Sequence, residues 1–129
     1  KIHILIRGIC ALVGGVPGLS ENIEIRSILD RYLEHTRVMI FANGGNEKFF
    51  IGSADWMGRN MDLRIEVTTP IYDVDLKKNI RKIINIQLND NTKSRIIDEE
   101  LKNEYWKSDG PQVQSQVAIY AHYKRQIKE

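Results

Sequence analysis

The sequence predicts an α/β fold, a mixed β-sheet flanked by helices, on three observations. Short apolar, β-branched runs at 1–6, 38–41, 49–51 and 62–68 read as strands. From Asp75 the apolar period changes from two to that of a helix. Between these stretches lie loops punctuated by Gly, Pro and Asn. With 129 residues, 42% hydrophobic and 28% charged, the chain is expected to form one domain, residues 1–129, with a real core.

Taken in order, Ile2, Ile4, Leu5 and Ile6 form a run that predicts a fully buried strand ending at Arg7-Gly8. A buried strand needs neighbours on both sides, so the chain is expected to be a piece of a longer protein whose other domains are absent. In parallel sheets ligands gather beyond the carboxyl ends of strands, which aims Arg7 at a site. Leu12 to Ser20 carries Gly14, Gly15, Pro17 and Gly18 and is a loop able to bring backbone N–H groups up to a phosphate; Ser20 or Asn22 is placed to cap the next element. Residues 22–34 fit both periods, since Ile23 and Ile25 alternate while Ile25, Ile28, Leu29, Tyr32 and Leu33 recur at helical spacing. The reading adopted is a short strand passing into a helical turn before His35.

Val38 to Phe41, the turn Asn43-Gly44-Gly45-Asn46, and Phe49-Phe50-Ile51 predict a β-hairpin. Leu63, Ile65 and Val67 alternate with Arg64 and Glu66, which predicts a strand over 62–68 ending near Pro70. A helix comes next, with Asp75 as N-cap, an apolar face of Leu76, Ile80, Ile83, Ile84 and Leu88, and its end at Asp90-Asn91. Ile96-Ile97 fits a short strand or a turn, Ser108 to Pro111 is a break, and a last helix carries Val113, Val117, Tyr120 and Lys124 on one face. Trp56 and Met57 read as core, and the cluster Lys77, Lys78, Arg81, Lys82 as a solvated helix face that could also guide a polyanion.

Composition excludes several classes. A net charge of +2, from 19 basic and 17 acidic residues, lacks the basic excess of a nucleic-acid binder, and no basic stripe with interleaved aromatics is present. Cys10 is the single cysteine, so there is no internal disulfide and no zinc-type spacing. No apolar run is long enough to span a bilayer. The expected setting is a reducing cytoplasm, with association to a membrane surface left open.

The most informative stretch is His35-Thr36-Arg37 on a predicted strand, followed after the turn by Gly52-Ser53-Ala54-Asp55. Two residues apart on a strand, the imidazole and guanidinium leave on one face, and a small-residue loop returns beside them. That arrangement suits an anion. Arginine binds phosphate with a planar fork and stays charged, and histidine can give or take a proton near neutral pH. Arg7, Arg37, Arg59 and Arg64 all fall in segments expected to converge there. Arg37 and Arg59 equally fit structural ion pairs with Asp55, Asp62 or Glu66.

The spacing resembles a half-site of the phospholipase D superfamily, with Arg37 where that pattern has Lys and Asp55 where it has Asn. Together with KIHILIRGIC at 1–10, VPGLSENIEIRSILDRYLEH at 16–35 and GSADWMGRNMDLRIEV at 52–67, the chain resembles the C-terminal catalytic domain of bacterial polyphosphate kinases, the type with two phospholipase D-like domains. The resemblance is dense over residues 1–72. Gly14 departs from it, since that family often has proline there. The resemblance implies a phospholipase D-like fold and reversible transfer of the terminal phosphate of ATP to inorganic polyphosphate. It implies a phosphohistidine on a preceding domain, so that this piece supplies one wall of the site and is inactive alone. It assigns Arg7 and His35 to the nucleotide or the transferred phosphate, Arg64 to the nucleotide, and His35 to proton transfer rather than nucleophilic attack. Asp55 and Ser53 would orient neighbours. ATP, ADP and polyphosphate are the implied ligands, with Mg2+ held outside this piece and no metal ligand within it. Other domains of the same chain and a homo-oligomer of the full-length protein are the implied partners. Competing readings are a phosphodiesterase half-domain with His35 as nucleophile, disfavoured by Arg37 and Asp55, and a non-catalytic polyanion-binding module.

Overall fold

The computed structural model describes residues 1–8 and 10–127. Among the described residues six strands and three α-helices alternate irregularly: β1 (Ile2–Ile6), β2 (Ile23–Ile28), β3 (Val38–Phe41), β4 (Lys48–Gly52), α1 (Gly58–Leu63), β5 (Thr68–Ile71), α2 (Val74–Leu88), β6 (Ser94–Ile97) and α3 (Ser115–Gln126), with one 3-10 turn at Asn43–Gly45. The class is α/β as predicted, but the strands form two three-stranded sheets, ordered β1-β2-β6 and β3-β4-β5. They fall into two compact units, Lys1–Leu33 with Ile83–Glu129, and Glu34–Lys82; the boundary lies within α2.

In the first unit β2 is central, parallel to β1 with Ile4 opposite Ile25, and antiparallel to β6 with Ile25 opposite Ile97. Ile25 and Ile28 form the buried apolar centre. The predicted burial of the first strand is corrected, for β1 pairs with β2 alone and leaves Ile2 exposed. Arg26, only 7% exposed, is the polar strut of this unit. Its Nε donates to Glu24, its Nη1 donates to the Leu88 carbonyl at 2.8 Å, and its guanidinium lies 3.8 Å from the Trp106 ring centre. A buried charge persists only when paired and bonded in this way. Gly14 bridges to Asp98 and packs against β2, where a Cβ would meet the Ile23 carbonyl oxygen at 2.8 Å.

The helical turn expected before His35 does not form. Tyr32 donates its N–H to Gln116 Oε1 at 3.0 Å and accepts from Gln116 Nε2 at 2.8 Å, so α3 takes the backbone groups that a turn would use. Leu29, Tyr32 and Leu33 stay exposed. Asp90 closes the unit. Fully buried, it accepts backbone N–H groups from Thr92, Lys93 and Ser115 at 3.0, 2.7 and 2.7 Å, the last being the first residue of α3. α3 turns over its expected face, since Val117 and Tyr120 are exposed while Ser115 is buried and Ala118, Ile119 and His122 are half-buried. Ile96-Ile97 belongs to a strand, and its outer edge is occupied by 104–106 through Ile96 N–H to the Glu104 carbonyl and Trp106 N–H to the Ser94 carbonyl.

In the second unit the hairpin is as predicted, with Val38 opposite Ile51 and Phe41 opposite Lys48. Its turn places Asn43, Gly44 and Gly45 at φ of 44°, 62° and 94°, the left-handed region that Asn and Gly tolerate. The strand predicted over 62–68 is replaced by α1, an irregular segment and then β5. The expected alternation of burial is absent there, since Asp62 and Arg64 are exposed along with the apolar residues and Glu66 alone is half-buried. Leu63, Ile65 and Val67 are exposed, Ile65 completely, because Glu66 turns inward to bonded partners. Pro70 lies inside β5, opposite Phe50, on an edge strand where a missing N–H is tolerated. The cap of α2 also moves by two residues: Asp73 Oδ1, not Asp75, accepts the N–H groups of Asp75 and Leu76 at 2.9 and 2.8 Å. On the expected apolar face Leu76 is exposed, and Ile80, Ile83, Ile84 and Leu88 are half-buried. Phe49 is the buried aromatic of this unit.

Candidate functional site

The site-bearing loops of the second unit hang from the ends of β3 and β4. β3 begins at Val38, so His35 and Arg37 precede the strand rather than sitting on it. Arg37 still joins the ladder through its carbonyl, which accepts the Gly52 N–H at 3.0 Å. That bond brings the start of one strand beside the loop Gly52-Ser53-Ala54-Asp55 that ends the other. Arg37 Nε donates to Asp55 Oδ1 at 2.8 Å. The ion pair expected as one reading of Arg37 is present, made through Nε. Bonding to Arg37 holds the Asp55 carboxyl below the usual carboxylate range, with the charges of Arg37, His35 and Arg59 adding to it. His35 and Arg59 thus lie within electrostatic reach of Asp55, and both are exposed.

A second carboxylate organises the other side of the loop. Ser53 Oγ and Asn60 Nδ2 both donate to Glu66, the latter at 2.7 Å, while Ser53 Oγ accepts the Val67 N–H at 3.1 Å. These bonds, Ser53 first and then Asn60, lower the Glu66 pKa, helped by the charges of Arg64 and Arg37. Asn60 is buried, with its Oδ1 unpartnered among the described residues. Arg64 comes just after α1, exposed. Asn60 escaped sequence reasoning altogether, and Glu66 entered it only as an ion-pair candidate. The one available signal was the odd placement of a carboxylate and an amide among the apolar residues of GRNMDLRIEV.

Arg7 belongs to the first unit, exposed just past β1 and next to Gly8, whose φ of 98° turns the chain. A shallow hollow of about 200 Å³ lies there, lined by Gly8, Cys10, Ile96, Ile97, Leu101 and Asn103. Leu101 and Asn103 hold φ of 49° and 57°, a strained conformation for leucine. Among the described residues Arg7, Arg59 and Arg64 make no ion pair and no side-chain hydrogen bond, leaving three guanidinium groups available to an anion. Trp56 and Met57, expected in the core, are instead exposed near the loop of Asp55. No group of three or more His, Cys, Asp or Glu side chains converges among the described residues, and Asp55 and Glu66 are already taken by Arg37, Ser53 and Asn60. These residues do not fit a divalent-cation site. Nor is any helix among them long and apolar enough to cross a membrane.

Comparison with known proteins places the chain among relatives. The family model described as polyphosphate kinase C-terminal domain 2 matches residues 1–116. The polyphosphate kinase of Vibrio cholerae is 52% identical over 130 residues, covering 100% of this chain and 18% of the relative. That of Escherichia coli K12 is 48% identical over 124 residues, 95% of this chain and 18% of its own length. The crystal structure of polyphosphate kinase from Porphyromonas gingivalis matches with a TM-score of 0.93 and 46% identity, covering 98% of this chain and 19% of that one. The chain therefore spans about a fifth of the length of the proteins it matches.

Proposed function

This chain belongs to the family of polyphosphate kinase C-terminal domains, and on that premise we propose that it is the phosphate-handling part of an ATP:polyphosphate phosphotransferase. In this reading residues 1–129 are one phospholipase D-like domain. The terminal phosphate of ATP passes to a histidine on another domain of the same protein and from there to the end of a polyphosphate chain, and the reverse reaction uses the same groups. Phosphoryl transfer needs little covalent help from its surroundings and much neutralisation of charge on the phosphate oxygens. The exposed, unpaired guanidinium groups of Arg59 and Arg64 supply that charge in the second unit, and that of Arg7 supplies it in the first. Arg37 has a different task. Committed to Asp55, it holds the loop that stands next to His35.

His35 is the proton-transfer group, protonating the oxygen that leaves or accepting a proton from the oxygen that attacks. Ser53 and Glu66 keep the loop in shape. Magnesium, which the chemistry of a nucleoside triphosphate calls for, would neutralise phosphate charge from ligands outside these residues. The chain by itself is accordingly inactive, and the working protein is a cytoplasmic homo-oligomer. The observation that carries the reading is the exposed His35 beside Asp55, with Arg37 locked to that carboxylate and Arg59 left free.

The test uses the full-length parent with labelled ATP, scored for acid-labile phosphoenzyme and for polyphosphate. Wild type is expected to make both. Arg7→Ala and His35→Ala are each expected to reduce polymer formation at least about a hundredfold, the scale on which a general acid or an oxyanion contact acts. A parent that makes no polymer but hydrolyses phosphodiesters would overturn the reading and make His35 a candidate nucleophile.

A further inference from the structure

Away from the loop of His35, the second unit gathers cations on one face of α2. Lys77, Lys78, Arg81 and Lys82 stand at successive positions i, i+1, i+4 and i+5, which sets two rows side by side, each spanning about 6 Å along the helix. The inner row is held in place by an aromatic floor. The Lys77 ammonium and the Arg81 guanidinium lie 5.9 and 5.2 Å from the centre of the same buried ring, that of Phe49. Two like charges drawn to one ring repel each other, and only Arg81 has a carboxylate partner, Glu47. In the outer row Lys78 pairs with Asp75 at 3.0 Å, but both ends are exposed, a pair that is weak and readily exchanged. Lys82 has no ion pair among the described residues. Four cations thus meet two carboxylates, and half of the cations are fixed by packing before any ligand arrives. Such pre-organisation lowers the entropy lost on binding.

We propose that this face of α2 is a docking track for the body of a polyphosphate chain, distinct from the groups that handle the reacting phosphate. The proposal rests on the polyphosphate reading above. Closely spaced, unbranched negative charge with no sequence to read suits two short rows of cations without hydrogen-bonding pockets. An acidic peptide, whose charges are sparser and interrupted by side chains of other kinds, fits the rows less well.

The experiment uses the full-length parent and compares binding of fluorescein-labelled long-chain polyphosphate with binding of tripolyphosphate across a salt series, alongside the KM for ATP. In the Lys77→Gln, Lys82→Gln double variant, affinity for the long polymer is expected to fall about tenfold, and its salt slope by about 1.4, some 0.7 for each cation removed. Tripolyphosphate binding and the KM for ATP are expected to stay as in wild type. Should removal of Lys77 disturb the packing on Phe49, the exposed pair Lys78→Gln, Lys82→Gln replaces it, with the same expectation. Long-polymer affinity and salt slope equal to wild type in the variant that folds overturn the track. An equal loss for tripolyphosphate overturns it too, since the cations would then serve the reacting end. Failure of the parent to make polymer is a separate result: it strikes the kinase reading, while the salt slope still reports on the track.

Discussion

Arg37 already holds a carboxylate partner at the Nε edge of its guanidinium. Its guanidinium fits a phosphate, but a carboxylate eighteen residues away reaches it first and holds Nε at 2.8 Å. Replacing Arg37 by Gln removes the bond that keeps the Asp55 carboxyl acidic, so the Asp55 titration followed by NMR is expected to move up toward the ordinary carboxylate range; no movement would mean that the pair does not form in solution. What the sequence made legible at this scale was residue type and loop membership, since small residues after a strand restrict what can stand beside it. Pair geometry was not legible, because nothing local distinguishes Asp55 from Asp62 as the partner of Arg37. Asn60 was invisible for the same reason. It is buried and donates to Glu66, a partner that only the folded chain reveals.

Elements whose signal is local behaved as their chemistry dictates. The hairpin turn needs left-handed backbone, and Asn43-Gly44-Gly45 provides residues that adopt it. Where a signal depended on which face is buried, tertiary partners decided. The alternation over 62–68 is lost, with Glu66 alone half-buried, and the helical spacing before His35 is overridden by the two-way bond between Tyr32 and Gln116. The start of α2 lay between two aspartates, and only hydrogen bonding separates them. Asp73→Ala is expected to destabilise the protein by about 1 kcal/mol through loss of the cap. Asp75→Ala, which removes only an exposed pair with Lys78, is expected to change stability by less than about 0.5 kcal/mol. Urea unfolding of both variants compares them directly, and equal effects would return the cap to Asp75.

Across the whole molecule the α/β class was legible from periodicity, while its partition into two sheets and two compact units was not, because strand order depends on pairings far apart in sequence. Both units nevertheless share an electrostatic habit. Glu24 and Asp90 in the first and Asp55 and Glu66 in the second all have folded-state pKa values lowered; for Glu24 and Asp90 burial opposes this and hydrogen bonds outweigh it. A lowered folded value means that the unfolded chain takes up protons first as pH falls. The stabilisation is therefore complete at neutral pH, begins to fade near the ordinary carboxylate values of about pH 4, and is lost as pH drops through the folded ones. Thermal midpoints measured from pH 7 downward are expected to be flat and then to fall below about pH 5, with a shallower fall in Asp90→Asn. A midpoint that rises on acidification would contradict this. The two tryptophans, one in each unit, give these transitions separate optical signatures. Trp106, stacked on the buried Arg26, is expected to lose that contact on unfolding and to change its emission. Trp56, 83% exposed, stands next to Asp55 on its loop, where emission like that of indole in water is expected. The chain thus carries, without labelling, one fluorophore set against a buried cation and another open to solvent beside the Asp55 loop.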